Sequence, residues 1–381
     1  MIKASMLLTA LIAFVSVHTL TLRGGGDIMN EQLILQASDQ TDMMSNMIPE
    51  TDARMLVKYV LYATYSYNCI PCLREKGWDA CISDVDASAK GDPHHLTRGA
   101  EIVRHFNNYN TSKWEGTEAF LAIHHADKQL ILAFAGSSVL SHWVKNFQFR
   151  QSHFTPMQGL EGDQDDVRRL IQKSWVHSGI ISLTAAVRLE ILTAFALYTQ
   201  QYPDYELVLT GHSLGGAISM LLLADIRIMQ LNHLANSRQA LFIPASTPVS
   251  IYTFGKPRQG NAAFTQLILA LEDQPKLGKL QIYRITNSHD LVPILPPQFM
   301  GYTHYPRHYW IDLDTSNANS RYGRNTHRCY ADDDIKYADA ESESIEKTGV
   351  CRLNEWDAEG HNSYFLDINR VIGACKKLSG R

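Results

Sequence analysis

Gly211-His212-Ser213-Leu214-Gly215 constrains the fold of this 381-residue chain more than any other segment. Leu207-Val208-Leu209 precedes it as a short apolar run. Leu214–Met229 follows, apolar nearly all round at its start. The spacing predicts a strand, a sharp turn and a helix. A serine at such a turn has strained backbone angles, and its hydroxyl is lifted above the sheet edge. The glycines belong there because a Cβ at either position would collide with the neighbouring strand and helix. The helix N-terminus behind Ser213 favours negative charge beside it. An ordinary tight turn would not need this setting, so Ser213 is a candidate nucleophile. A helix that is apolar on every side must be covered.

Elements elsewhere in the chain supply that cover. Apolar spacing predicts a helix from about Thr51, with Met55, Leu56, Tyr59, Val60 and Ala63 on one face. The Cys69–Cys81 segment reads as a cross-linked loop, and Ala100–Asn107 as a helix. Phe120–His125 and Gln129–Phe134 read as two strands joined at Ala126-Asp127-Lys128. Ile180–Gln201 reads as a helix ending before Pro203, and Glu206–Leu209 as a strand. Ser250–Phe254 and Leu280–Thr286 are further strands, separated by a helix over Ala262–Leu271, and Tyr364–Lys376 is a final helix. Asp314–Thr348 is polar and turn-rich, as a surface excursion would be. Alternating strands and helices give an α/β fold with a mainly parallel sheet covered on both faces. Apolar residues make up 45% of the chain and charged residues 19%, enough for a large core. Nothing divides residues 51–381, which are expected to form one domain.

The beginning of the chain is different. Lys3 precedes an apolar run, Met6–Val17, that His18 and Thr19 interrupt well short of the roughly 20 residues a membrane span needs. Residues 1–22 therefore read as a signal peptide, and no other stretch as a span. Residues 23–50 read as a polar, disordered leader or pro-segment. Six cysteines behind a signal peptide imply three disulfides. The CxxC spacing of Cys69 and Cys72 has no second pair to complete a zinc site, so no metal is expected. Asn110-Thr111-Ser112 is a glycosylation triplet. A net charge of -4 argues against nucleic acid. No cofactor and no protein partner is implied, and secretion is expected.

A serine hydroxyl is a poor nucleophile until a base takes its proton, and the base needs an acid to fix its tautomer. Asn287-Ser288-His289-Asp290 directly follows a predicted strand. That places Asp290 at the carboxyl edge with Ser213, whereas Asp312, Asp314 and Asp332 lie in irregular sequence. Among sixteen histidines, His212 faces away from the serine and His289 cannot easily bridge to it. His304, His308 and His361 remain. Chain order Ser, Asp, His favours His361.

Taken together, Gly211-His-Ser-Leu-Gly-Gly, Phe254-Gly-Lys-Pro-Arg-Gln-Gly-Asn261, Asn287…Asp290-Leu-Val-Pro-Ile-Leu-Pro-Pro and His361…Tyr364-Phe365 resemble the class 3 (fungal-type) triacylglycerol lipases. Gly301-Tyr-Thr-His304 and Tyr309-Trp-Ile311 are similar to that family as well. The resemblance runs from about Arg54 to Cys375. It implies an α/β-hydrolase fold with a catalytic triad of Ser213, Asp290 and His361, and it puts His304 in a structural loop. It also implies an oxyanion hole made by the backbone N–H groups of Ser137, after Phe134-Ala135-Gly136, and of Leu214. Ala135, Lys256 and Gln259 depart from the family pattern without removing a reacting group. Val139, Leu140, Trp143, Val144 and Phe147 share one helical face, and by resemblance form a lid. Cys69 pairs with Cys375, Cys72 with Cys81, and Cys329 with Cys351 by the same resemblance. The expected substrate is a water-insoluble lipid ester at an oil–water or membrane interface. Phospholipase A1, galactolipase and feruloyl esterase activities stand as alternatives on the same scaffold, and an inactive lipid-binding relative as a remoter one.

Overall fold

The computed structural model describes residues 48–89, 92, 95–108, 116–137, 149–311, 326–329 and 360–379. The expected signal peptide, most of the leader, Asn110, the 139–147 lid segment, Cys351 and the acids Asp312, Asp314 and Asp332 lie outside these residues. The pairing of Cys329 with Cys351 lies outside them too.

Strands β1 (Ala100–Asn107), β2 (Glu118–His124), β3 (Gln129–Phe134), β6 (Glu206–His212), β7 (Val249–Phe254), β8 (Leu280–Asn287), β9 (His308–Ile311) and β10 (Thr326–Cys329) form one sheet in that order. Pairing is antiparallel at the two ends and parallel from β3 through β9. The short strands β4 (Gln151–His153) and β5 (Trp175–His177) pair apart from it.

Side chains alternate across a strand, so each strand faces both layers. Phe120, Ala122, Ile131, Ala133, Val208, Tyr252, Phe254 and Ile285 point into one core cluster. On that side they meet α1 (Glu50–Tyr65), α2 (Ile70–Lys76), α3 (Trp78–Ala89) and the last helix, α8 (Ile368–Leu378). The other layer is built on α6 (Leu214–Ala235), none of whose residues belongs to that cluster; it packs on β3, β6 and β7. Against α6 lie α5 (Ser178–Gln201) and α7 (Ala262–Glu272), and α4 (Asp165–Lys173) lies against α7. Each fully buried leucine or isoleucine of α6 stabilises the fold by about 1.5–3 kcal/mol relative to exposure. By length and composition α5 and α6 could cross a membrane, a feature missed in the sequence; α6 is buried inside the fold from Leu214 to Asn232.

Side chains fix the starts of α7 and α5. Asn261 Oδ1 accepts from Phe264 N at 3.0 Å. His177 Nδ1 accepts from Gly179 N at 3.1 Å and Ile180 N at 3.3 Å, opening α5.

Three local expectations are corrected. Ala100–Asn107 is a strand, not a helix: Ile102, Val103 and Phe106 are strand formers, and pairing with β2 across a register shift near Arg104 hides the period-two pattern. The Cys69–Cys81 segment is not a loop but two helices, α2 and α3, separated by Gly77 at φ 82°. The final helix begins at Ile368, because Asp367 caps it by accepting from Arg370 N at 3.0 Å. At the front, α1 begins at Glu50, within one residue of the expected start.

Candidate active site

The geometry of the turn after β6 is dictated by its glycines. Ser213 has φ 58° and ψ −127°, a strained conformation for a residue with a side chain. A Cβ on Gly211 would fall 2.4 Å from the Gly215 carbonyl carbon, and one on Gly215 2.4 Å from Phe134 O. Ser213 N donates to Phe254 O at 2.8 Å, which ties the turn to the end of β7. Ser213 is buried, and its Oγ has no hydrogen-bond partner among the described residues. It sits directly before the first residue of α6, Leu214. The first four N–H groups of a helix lack intrahelical acceptors and present partial positive charge.

Asp290 lies just beyond β8 and is 1% exposed. Both of its carboxylate oxygens stand 2.9 Å from His361 Nδ1. Val292 N donates to Oδ1 at 2.8 Å, and the Tyr364 hydroxyl donates to Oδ2 in a short bond. Burial, and then the Asp290 charge, push the Tyr364 phenol well above its usual range, so it remains a donor. His361 lies in a 3-10 turn, Gly360–Asn362. Asn287 Nδ2 fastens that turn to the end of β8 by donating to Gly360 O at 2.7 Å and Ser363 O at 3.1 Å. A Cβ on Gly360 would meet His289 O at 2.5 Å, so this close approach requires glycine. With Nδ1–H committed to the carboxylate, Nε2 carries the lone pair. It too is buried without a partner among the described residues.

The other candidate histidines stand elsewhere. His304 Nε2 donates to Pro293 O at 2.7 Å, leaving Nδ1 to accept from Lys256 Nζ at 3.5 Å. Burial, with Arg284, Lys256 and Arg258 nearby, holds its pKa well below the ordinary value. His308 is buried in β9 and is likewise held neutral by burial. Only His361 among the three meets Asp290. Ser137 is half-buried just after β3, and Gly136 beside it approaches Ser213 so closely that a Cβ would lie 2.9 Å from the serine Cβ.

A nucleophile turn, a buried acid–base pair and an adjoining strand end are the parts of an acyl-transfer site. Residues 131–300 match the family model of the class 3 lipases. Over that segment the chain is similar to the class 3 lipases. It is 28% identical over 316 residues to the secreted mono- and diacylglycerol lipase A of Penicillium cyclopium, covering 83% of this chain and 85% of that one. It is also 28% identical over 217 residues to a lipase of Rhizomucor miehei, covering 54% and 51%. Among solved structures, a triacylglycerol lipase aligns with a TM-score of 0.58 at 23% identity, covering 85% of this chain and 98% of the other. That likeness gives this chain the α/β-hydrolase fold, and its lipase relatives indicate a carboxylic ester hydrolase.

Two disulfides hold the lipase's helices beside the site. Cys69 is bonded to Cys375, joining α2 to α8, and Cys72 to Cys81, joining α2 to α3. Sequence reasoning missed Tyr364 and Asn287 as members of the site, although both lie inside the quoted motifs. It also missed Tyr67 and the contacts of His212. For Tyr67 no local signal existed, because its hydrogen-bond partner His212 lies 145 residues away in the chain.

Proposed function

We propose that this lipase cleaves acyl esters of water-insoluble lipids, acylglycerols first among them, with Ser213 as nucleophile, His361 as base and Asp290 as the orienting acid. The observation that carries the reading is the buried His361–Asp290 pair, with His361 Nε2 and Ser213 Oγ both unpartnered among the described residues. In the first half-reaction Nε2 takes the Ser213 proton as Oγ attacks the ester carbonyl, and returns it to the leaving alcohol. An acyl-serine remains. Water, deprotonated by the same Nε2, then releases the fatty acid. The tetrahedral oxygen is held by the N–H groups of Ser137 and Leu214, donors set where charge develops. Asp290 keeps the imidazole in the productive tautomer.

Support for the substrate class comes from relatives named as mono- and diacylglycerol lipases and as a lipase. A solved neighbour is a triacylglycerol lipase whose catalytic centre is a serine protease triad. Secretion accords with relatives named as secreted and with the two disulfides. Action at a lipid–water interface follows from the insolubility of such substrates. The test compares triolein, diolein, phosphatidylcholine and a dissolved butyrate ester, with Ser213→Ala as control. Acylglycerol turnover that Ser213→Ala abolishes is the expected result. Turnover confined to phosphatidylcholine, or surviving Ser213→Ala, would refute the reading.

A further inference from the structure

Tyr67 follows α1 and is buried. Its hydroxyl lies 2.7 Å from His212 Nδ1, while His212 Nε2 lies 2.7 Å from the backbone oxygen of His361. A carbonyl oxygen can only accept, so Nε2 carries the proton and Nδ1 the lone pair. The Tyr67 O–H therefore donates to His212, which passes one N–H to the backbone of the base. Burial, and then the neighbouring His361, hold the His212 pKa well below its ordinary value, so the ring stays neutral and keeps this tautomer. The two imidazoles lie 4.5 Å apart between centroids. A charged His212 there would oppose the imidazolium that forms on His361 during catalysis.

The same hydroxyl has a second contact. It packs against the Gly136 backbone, so closely that a Cβ on Gly136 would lie 2.4 Å from it. Gly136 immediately precedes Ser137. Burial pushes the phenol far above its ordinary range, so it neither ionises nor loses the proton it donates.

We propose that the Tyr67 hydroxyl is a positioning group for the reaction, holding the Gly136–Ser137 backbone on one side and, through neutral His212, the backbone of His361 on the other. The inference rests on the triad reading above. Tyr67 touches no reacting atom. It sets the distance between the place where the oxyanion is stabilised and the place where the proton is taken, two groups that contribute only as the transition state forms. Its loss is therefore felt in kcat rather than KM.

Tyr67→Phe keeps the ring and deletes only the hydroxyl. With a dissolved butyrate ester, kcat per active site should fall about 10-fold or more, with KM changed less than about 2-fold. Active sites are counted by titration with a serine-directed phosphonate. A merely structural role would lower the melting temperature and the titratable fraction but leave kcat per titrated site unchanged, and that result overturns the proposal. His212→Gln, which can still present an N–H to the His361 carbonyl, should retain more kcat than His212→Leu. Equal losses in the two would overturn the His212 arm. Ser213→Ala, measured alongside, separates the two claims. If it retains turnover, the triad reading has failed. If it is inactive and Tyr67→Phe turns over normally, only the positioning claim has failed.

Discussion

Asp290→Asn tests the assigned tautomer of His361 with almost no change in shape. Asp290 receives bonds from His361 Nδ1 at 2.9 Å, Val292 N at 2.8 Å and the Tyr364 hydroxyl. Asparagine offers one oxygen and one NH2 group in place of two oxygens. If its oxygen took the Oδ2 position, the NH2 would oppose the Val292 N–H. That would leave a buried donor unpaired at a cost of about 1–3 kcal/mol. The oxygen therefore stays with Val292, still 2.9 Å from Nδ1. The NH2 stands equally close with its protons toward the Tyr364 oxygen and Nδ1, so that the Nδ1 proton now faces a donor as well as an acceptor. Nδ1 can accept only if its own proton has moved to Nε2, the atom required to take the proton from Ser213. The expected loss is about 10⁴-fold in kcat, or roughly 5.5 kcal/mol of transition-state stabilisation. KM for a dissolved butyrate ester should change little, and the melting temperature should stay within a few degrees of wild type. Stopped-flow and steady-state rates per phosphonate-titrated site measure the effect. A loss below about 10-fold in the folded protein would refute the assignment of Asp290 as the group that sets the tautomer.

Replacing Cys69 and Cys375 with serine opens a link spanning 306 residues, worth roughly 6 kcal/mol by chain entropy, against roughly 2.5 kcal/mol for the Cys72–Cys81 link spanning 9. Urea melts of the two double variants should rank in that order; equal losses would contradict it. Gly215→Ala forces a Cβ to 2.4 Å from Phe134 O and should prevent accumulation of folded protein, whereas Gly373→Ala, inside α8 with no atom within 4 Å, should add about 0.5–1 kcal/mol in the same melts. Asp225 is buried beside Arg188, and burial raises its carboxyl to about 6 from an ordinary 3.8. The folded state thus holds the proton more tightly than the unfolded one, so this group's contribution is greatest below about pH 4 and is lost as pH rises through 6. Asp225→Asn should flatten the melting-temperature profile between those pH values relative to wild type, and an unchanged difference across that window would refute the assignment.

What the sequence made legible was whatever is encoded locally. The Gly211–Gly215 turn announces itself because its steric demand falls on residues two apart. α6 announces itself because it is apolar on every side. β1 was misread because its bulge near Arg104 breaks the alternation that marks a strand. α2 and α3 were misread because the nearby cysteines suggested a loop, while Pro71 early in α2 and Gly77 after it were the helix punctuation. The acid was legible from its place after β8. The base needed chain order and resemblance, since sixteen histidines carry no local signature. Tyr364, Asn287 and Tyr67 acquire their roles only through contacts made in three dimensions.

Those contacts explain how a base on a short 3-10 turn can be placed as firmly as a nucleophile built into the sheet. Ser213 inherits its position from β6 and α6, whose cores are buried on both sides. His361 has no such element under it. Its turn is held by Asn287 from the end of β8, by Asp290 and Tyr364 at the imidazole, and by His212 at its own carbonyl. Each of these partners is buried, so water does not compete for the bonds and their loss is not made good by solvent. Behind them, Cys375 of α8 is bonded to Cys69, two residues beyond Tyr67. The helix that follows the base is thus pinned to the same corner from which Tyr67 reaches His212. The corner joins chain segments that are distant in sequence, and it makes the placement of the base a property of the whole fold. Substitutions there should accordingly act on turnover before they act on substrate affinity.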